Sequence, residues 1–172
     1  MYSPLGIFHL IAAIIALICG ALVLLNIKGN NRHRLLGTIY LVAMTIVVVS
    51  ALCMYRLTGS ANILHVFAML SLITIVMGMT QLAAKRFLKR AISPNWFDFH
   101  TQSMVWSYIG LLAALIAESA TRIGMPYLIA QGYQSFGWFW GIVGFATFLV
   151  CFSGAFLLAH NKAAIERYRT KQ

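Results

Sequence analysis

The sequence predicts an all-α integral membrane protein: an antiparallel bundle of five transmembrane helices, with a four-helix core and one packing helix. Apolar residues make up 61% of the 172-residue chain, and the mean hydropathy is +0.84. Only 9% of the residues are charged, whereas a soluble domain carries about a quarter. Because so little polar surface cannot cover a water-soluble globule, lipid must solvate most of the chain. We expect a single transmembrane domain over residues 1–172.

Five apolar segments are long enough to cross the hydrocarbon layer, which needs about 20 residues. The predicted spans cover approximately residues 3–27, 35–55, 63–84, 100–122 and 138–160. The first apolar run is too long for a signal-peptide core, so it is expected to be a retained span. The short links at 28–34 and 56–62 predict antiparallel hairpins.

The two longer links are predicted to lie at the membrane interface. The link at 85–99 contains Pro94, Trp96 and Phe97, and the aromatic rings are expected at headgroup level. The link at 124–137 is interpreted in the same way because of Tyr127, Tyr133 and Phe136. The fifth span is rich in glycine and phenylalanine and is expected to pack against the other four.

The basic residues are distributed unevenly between the links. Eleven of the 13 Lys and Arg residues follow the first, third or fifth span, and only Arg56 and Arg122 border the other two links. This bias predicts an external amino terminus and a cytoplasmic carboxyl terminus. The same clusters are expected to attract anionic lipid headgroups, at roughly 1 kcal/mol per residue. Because the net charge of +10 lies in short clusters between spans, it does not indicate nucleic-acid binding.

Four histidines lie near the ends of successive spans, and the ends alternate. In an antiparallel bundle this places His9 and His65 at the external face and His33 and His100 at the cytoplasmic face. Small and polar residues at helical spacing predict which side of each helix faces inward. The predicted stripes are His9–Ala13–Ala16–Gly20, His33–Gly37–Tyr40–Met44, His65–Met69–Leu72–Val76, and His100–Ser103–Ser107 with Gly110 or Leu111, Ala114, Glu118 and Arg122.

This layout leads to the hypothesis of a b-type haem electron carrier. His9 with His65 and His33 with His100 would each ligate one haem iron, which leaves no axial position for a substrate. Gly20 and Gly37 could provide room for a macrocycle. If the helices run straight, the two histidine pairs are separated by roughly 28 Å. A single haem, bound at one face only, is a further alternative.

A metal site is the alternative at the external face. Glu118 lies about 27 Å from His100 along a helix, at the level of His9 and His65. Two imidazoles and a carboxylate could bind zinc or another divalent transition metal, as in a membrane enzyme or transporter. Glu118 could instead pair with Arg122, four residues later on the same helix.

Two motifs resemble a bacterial family of predicted membrane proteins with no assigned function. The run from His33 to Tyr40 resembles its HRxxGxxY signature, and the run from His100 to Tyr108 is similar to its HxxWMxRSY signature. In the second motif Ser103 replaces the usual tryptophan and Trp106 the usual arginine. The resemblance covers about residues 8–127 and implies a bacterial cytoplasmic-membrane protein. A membrane subunit without any cofactor stays a third hypothesis beside haem and metal.

Overall fold

Helices joined by short links make up the part of the chain that the structure describes. The structure is a computed structural model that describes residues 4–58, 63–89, 94–133 and 137–160. Its elements are α1 (Pro4–Leu25), α2 (Asn31–Thr58), α3 (Ile63–Phe87), α4 (Trp96–Ser119), a π turn (Ala120–Gly124), α5 (Met125–Ala130) and α6 (Gly137–His160). Ser3, Gly59–Asn62, Arg90, Phe136 and the basic residues Lys162, Arg167, Arg169 and Lys171 lie outside the described residues.

The helices have the lengths and composition of membrane spans. Within the described residues, five helical stretches are long and apolar enough to cross a membrane. This confirms the predicted all-α membrane protein. Large apolar side chains cover the outward surface, as lipid contact requires; on α6 they include Phe145, Phe148, Phe152 and Phe156, each about 60% exposed.

The first four helices form a closed ring. α1 packs on α2, α2 on α3 and α3 on α4, and α1 also contacts α4. Helices α1 and α3 therefore lie diagonally opposite, as do α2 and α4. The core between them contains Ala16, Tyr40, Met44, Ile75 and Leu111. Helix α6 packs on α4, where Gly154 faces Ile109 so closely that a Cβ atom would collide with it.

A compact connection joins α1 to α2. Gly29 takes a left-handed φ of 84°, which glycine adopts without a steric penalty. Asn30 then caps α2, because its Oδ1 accepts the backbone N–H of His33 at 2.7 Å. The cap explains why α2 begins four residues before the predicted start of the second span.

The fourth span is longer than predicted at both ends. Helix α4 begins at Trp96, and the π turn and α5 continue it to Ala130. Phe97 is buried rather than held among headgroups. The helical stretch ends at Ala130. Gly132 then takes a left-handed φ of 85°, and the N–H of Tyr133 bonds the Leu128 carbonyl in a Schellman motif. The interfacial link expected at 124–137 is therefore helical over its first half.

The buried stripe of α3 also differs from the prediction. Ala68, Ser71 and Ile75 face the core, whereas Met69 and Val76 are about half exposed. On α1, Ala12 is buried in place of Ala13. The other predicted stripes agree with the structure at Ala16, Gly20, Tyr40, Met44, Ser103, Ser107 and Leu111.

Candidate functional site: two histidine clusters

The four candidate histidines lie on the four helices of the ring, at its two ends. His9 and His65 lie within the first two turns of α1 and α3, at one end of the ring, the His9 end. His33 and His100 lie within the first two turns of α2 and α4, at the opposite end, the His33 end. Each predicted pair therefore comes from two helices that face each other diagonally across the bundle.

At the His33 end, the ring of His33 lies near the Val23 carbonyl in the last turn of α1. Its Nδ1 atom is buried and has no hydrogen-bond partner among the described residues. Lys28 donates from Nζ to the carbonyls of Val23 (2.9 Å) and Leu24 (2.8 Å), and burial lowers the pKa of its ammonium group. His33 is within electrostatic reach of both Lys28 and His100.

His100 is oriented by the neighbouring helix α3. Its Nδ1 donates to the carbonyl of Gly78 at 2.9 Å. Gly78 allows this approach because a Cβ atom there would lie 2.6 Å from Met104 Cε and 3.0 Å from Ser103 Cβ. The close packing of α3 on α4 thus holds the imidazole in one orientation.

The hydrogen bond of His100 decides which of its ring nitrogens is left for a ligand. A backbone carbonyl only accepts, so His100 must present its Nδ1–H to Gly78. In a neutral imidazole Nε2 of His100 then carries a lone pair, while on the other ring His33 Nδ1 is buried without a hydrogen-bond partner among the described residues. An imidazole oriented by a carbonyl through one nitrogen is the usual state of a metal-ligating histidine.

At the His9 end, His9 has partners on both ring nitrogens. Its Nδ1 lies 2.8 Å from Ser50 Oγ on α2, and its Nε2 lies 3.5 Å from Glu118 Oε2 on α4. Glu118 also accepts from Arg122 Nε at 2.6 Å through its other oxygen. The predicted ion pair of Glu118 and Arg122 is therefore present, and His9 joins it from another helix.

The π turn coincides with this cluster. Arg122 lies inside it, one turn after Glu118, and Thr121 Oγ1 donates to the Ala117 carbonyl at 2.7 Å. Single π turns within α-helices occur frequently at functional sites. Its position is a second reason, besides the carboxylate within a span, to regard this end as functional.

The structure does not assemble the three predicted metal ligands into one group. Over residues 4–58, 63–89, 94–133 and 137–160, no three His, Cys, Asp or Glu side chains come together as a metal-binding set. His9 and Glu118 are in contact, and His65 lies at the same end on the diagonally opposite helix. The haem on His9 and His65 and the metal on His9, His65 and Glu118 stay predictions.

Comparison of the sequence with known protein families gives one match. Residues 6–162 match the family described as "Predicted membrane protein (DUF2306)". The chain belongs to this family. No curated protein and no solved structure matches it. The DUF2306 description agrees with the five membrane-spanning helical stretches and assigns no chemistry, so the function has to be argued from the two clusters.

The sequence alone did not indicate every polar contact in this DUF2306 protein. Ser50, the partner of His9, is a single serine in an apolar run. The only signal in the sequence is its position along α2, which is near the same end of the bundle as His9. Farther along the bundle, Tyr40 OH lies 2.7 Å from Ser107 Oγ, and Tyr108 OH donates to the Leu17 carbonyl at 3.2 Å. These bonds connect α2 and α1 to α4 between the two clusters.

Proposed function

We propose that this protein is a membrane electron carrier that holds one b-type haem at the His33 end, with His33 and His100 as axial ligands. The observation that carries the proposal is the state of the two rings. His100 donates from Nδ1 to a backbone carbonyl, which leaves Nε2 with a lone pair, and Nδ1 of His33 is buried without a hydrogen-bond partner among the described residues. A buried ring nitrogen without a partner costs free energy, and in the tautomer protonated at Nε2 a metal ion would use the lone pair of Nδ1.

The surrounding residues suit such a group. Gly37 follows His33 by one helical turn, and no atom lies within 4 Å of the position where its Cβ would be. Arg32 and Arg34 are exposed at the same end and could pair with the carboxylates of a haem. When bound, a haem with two imidazole ligands supplies one-electron chemistry and has no open coordination position.

The chain's own residues would have two tasks. The Gly78 carbonyl holds His100 in the tautomer with Nδ1 protonated, so that Nε2 remains a ligand. The Asn30 cap holds the first turn of α2, and with it His33, close to the end of α1. Loss of either support would loosen one ligand and leave the other in place.

We also propose that the His33 end faces the cytoplasm. Lys28, Arg32, Arg34, Lys85, Arg86 and Lys89 lie at this end. Among the described residues, Arg56 and Arg122 lie at the His9 end, where Arg122 is paired with Glu118. Such an excess of basic residues is typical of cytoplasmic links. Their exposed side chains would contact anionic lipid headgroups.

The absorption spectrum of the purified protein, expressed in haem-replete cells, tests the haem proposal. We expect a Soret band and a pyridine haemochrome in the wild type, and loss of most of the haem in His33→Ala and in His100→Ala. His160→Ala is the matched control, because His160 ends α6 at the same end and stacks only on Phe156 among the ring contacts described. Colourless wild-type protein, or equal loss in His160→Ala, would refute the proposal.

A further inference from the structure

Lys28 has no task in the proposed ligation of a haem, although it lies beside one of the two ligands. It belongs to the link between α1 and α2, just before the helix that carries His33. Its side chain is partly buried. The other basic side chains that the structure describes at this end are exposed: Arg32, Arg34, Lys85, Arg86 and Lys89. Because water and salt screen a partly buried charge less than an exposed one, Lys28 can act more strongly on a neighbouring group.

Two hydrogen bonds fix the ammonium group of Lys28. Its Nζ atom donates to the carbonyls of Val23 at 2.9 Å and Leu24 at 2.8 Å. Because α1 ends at Leu25, both carbonyls belong to the last turn, whose oxygens lack partners within the helix. A lysine that donates to these oxygens caps the helix at its C-terminus. The positive charge is therefore held at one place on the molecule.

The Val23 carbonyl brings this charge next to the proposed ligand. The ring of His33 lies near the same carbonyl, so the imidazole and the ammonium group meet the end of α1 at one oxygen. The left-handed turn at Gly29 and the Asn30 cap hold the start of α2 there. The charge of Lys28 is within electrostatic reach of the imidazole and would also act on an iron ion bound to its Nδ1 atom.

Electrostatics gives the sign of this effect. Reduction of a ferric haem to the ferrous state adds one electron and lowers the charge at the iron by one, so a neighbouring cation favours the ferrous state. The carbonyls at the end of α1 form the negative end of the helix dipole and favour the ferric state. Lys28 supplies the cation and donates to two of these carbonyls. Both contributions raise the reduction potential.

We propose that Lys28 is a positioning residue that raises the reduction potential of the haem at the His33 end. This inference rests on the proposed function, because it needs the haem that His33 and His100 would hold. Lys28 acts through its charge and through the carbonyls of α1, without contact to the iron. As a consequence, the electron carrier can be reduced by weaker reductants than it could without this lysine.

An equilibrium redox titration of the purified full-length protein in lipid nanodiscs, followed in the absorption bands of the haem, tests this role. Dithionite supplies the electron for reduction, and ferricyanide accepts it for reoxidation. Lys28→Gln removes the charge and keeps an N–H donor for the carbonyls. We expect the equilibrium constant for reduction to fall about tenfold, which lowers the midpoint potential of this one-electron couple by about 59 mV. Lys28→Arg keeps the charge and should stay near the wild-type potential.

Lys89→Gln is the matched control for the loss of charge. It makes the same substitution at an exposed lysine that follows α3 at the same end. The potential should remain that of the wild type, because solvent screens this charge. If Lys28→Gln does not retain its haem, Lys28→Met provides the same loss of charge in an unbranched side chain and should show the same fall in potential.

The outcomes distinguish the role of Lys28 from the haem proposal itself. A wild-type haem whose potential is unchanged in Lys28→Gln, or falls equally in Lys89→Gln, would overturn the role of Lys28 and leave the haem in place. Loss of the haem from both Lys28→Gln and Lys28→Met would show that the lysine serves only as a helix cap, which also overturns the role. Wild-type protein without haem would overturn the proposed function together with this inference.

Discussion

At the scale of single residues, the two clusters differ in what the ring nitrogens contact. His100 donates to a carbonyl through Nδ1, which leaves Nε2 as a ligand atom. The Nδ1 atom of His9 lies 2.8 Å from the Ser50 hydroxyl and its Nε2 lies 3.5 Å from a Glu118 oxygen, so both ring nitrogens face polar side chains. The partner groups, rather than the histidines themselves, determine the chemistry that each ring can perform.

The bond between Tyr40 and Ser107 allows a prediction about stability. Ser107 donates to the Met104 carbonyl at 2.7 Å, so Tyr40 must donate to Ser107. Ser107→Ala leaves the buried Tyr40 hydroxyl without its acceptor, and we expect a loss of about 1–3 kcal/mol. Tyr40→Phe removes the donor and keeps the bond to Met104, so its loss should be smaller, about 1 kcal/mol.

Reversible unfolding of both variants in mixed micelles measures this difference. Tyr127→Phe is the control, since Tyr127 is 64% exposed, and its stability should remain near that of the wild type. A Tyr40→Phe loss larger than that of Ser107→Ala would contradict the direction of donation inferred from the structure.

At the scale of elements, small or polar residues at helical spacing predict the buried face of a helix. On α4 they predict that Ser103 and Ser107 face the core, and both residues are buried. On α3 the predicted buried face continues from His65 to Met69, four residues later. The buried residues are instead Ala68, three residues after His65, and then Ser71. Either step follows the helical period, and only contact with α2 and α4 decides between them.

The end of the fourth span shows a different limit of the sequence. Hydropathy falls at Arg122, which predicted the end of the helix there. The helix continues through the π turn and α5 and ends only at Ala130, because a helix can leave the hydrocarbon layer without ending. The Glu118–Arg122 pair was predictable from its spacing, while the approach of His9 and Ser50 depends on how three helices pack.

The packing of α1 on α4 gives a prediction about one glycine. A Cβ atom on Gly20 would lie 2.5 Å from the ring of Tyr108 and 3.0 Å from that of Tyr40. Gly20→Ala must displace these rings and the bond from Tyr108 to the Leu17 carbonyl, and we expect a loss of about 1–3 kcal/mol. Unfolding in mixed micelles checks the value.

A second glycine supplies the matched control for Gly20. Gly144→Ala lies on α6 with no atom within 4 Å of its Cβ position. It should be neutral or stabilise by up to about 1 kcal/mol through helix propensity. Equal effects of the two substitutions would show that α1 and α4 do not meet at Gly20.

At the scale of the whole molecule, the distribution of charge predicts the orientation. His160 ends α6 at the His33 end, so a carboxyl-terminal fusion should lie on the cytoplasmic side. In a bacterial host we expect a fluorescent protein at this position to fluoresce and alkaline phosphatase to be inactive. An amino-terminal fusion that carries its own export signal should give the opposite pattern, and active carboxyl-terminal phosphatase would contradict the orientation.

The haem content of the whole molecule tests the central claim most directly, namely that His33 and His100 hold one haem and that His9 does not ligate it. The measurement is the number of haems per chain in wild type, His33→Ala and His9→Ala, each purified from haem-replete cells. The claim predicts one haem, none and one, respectively. No haem in the wild type, or one that is lost with His9, would contradict it.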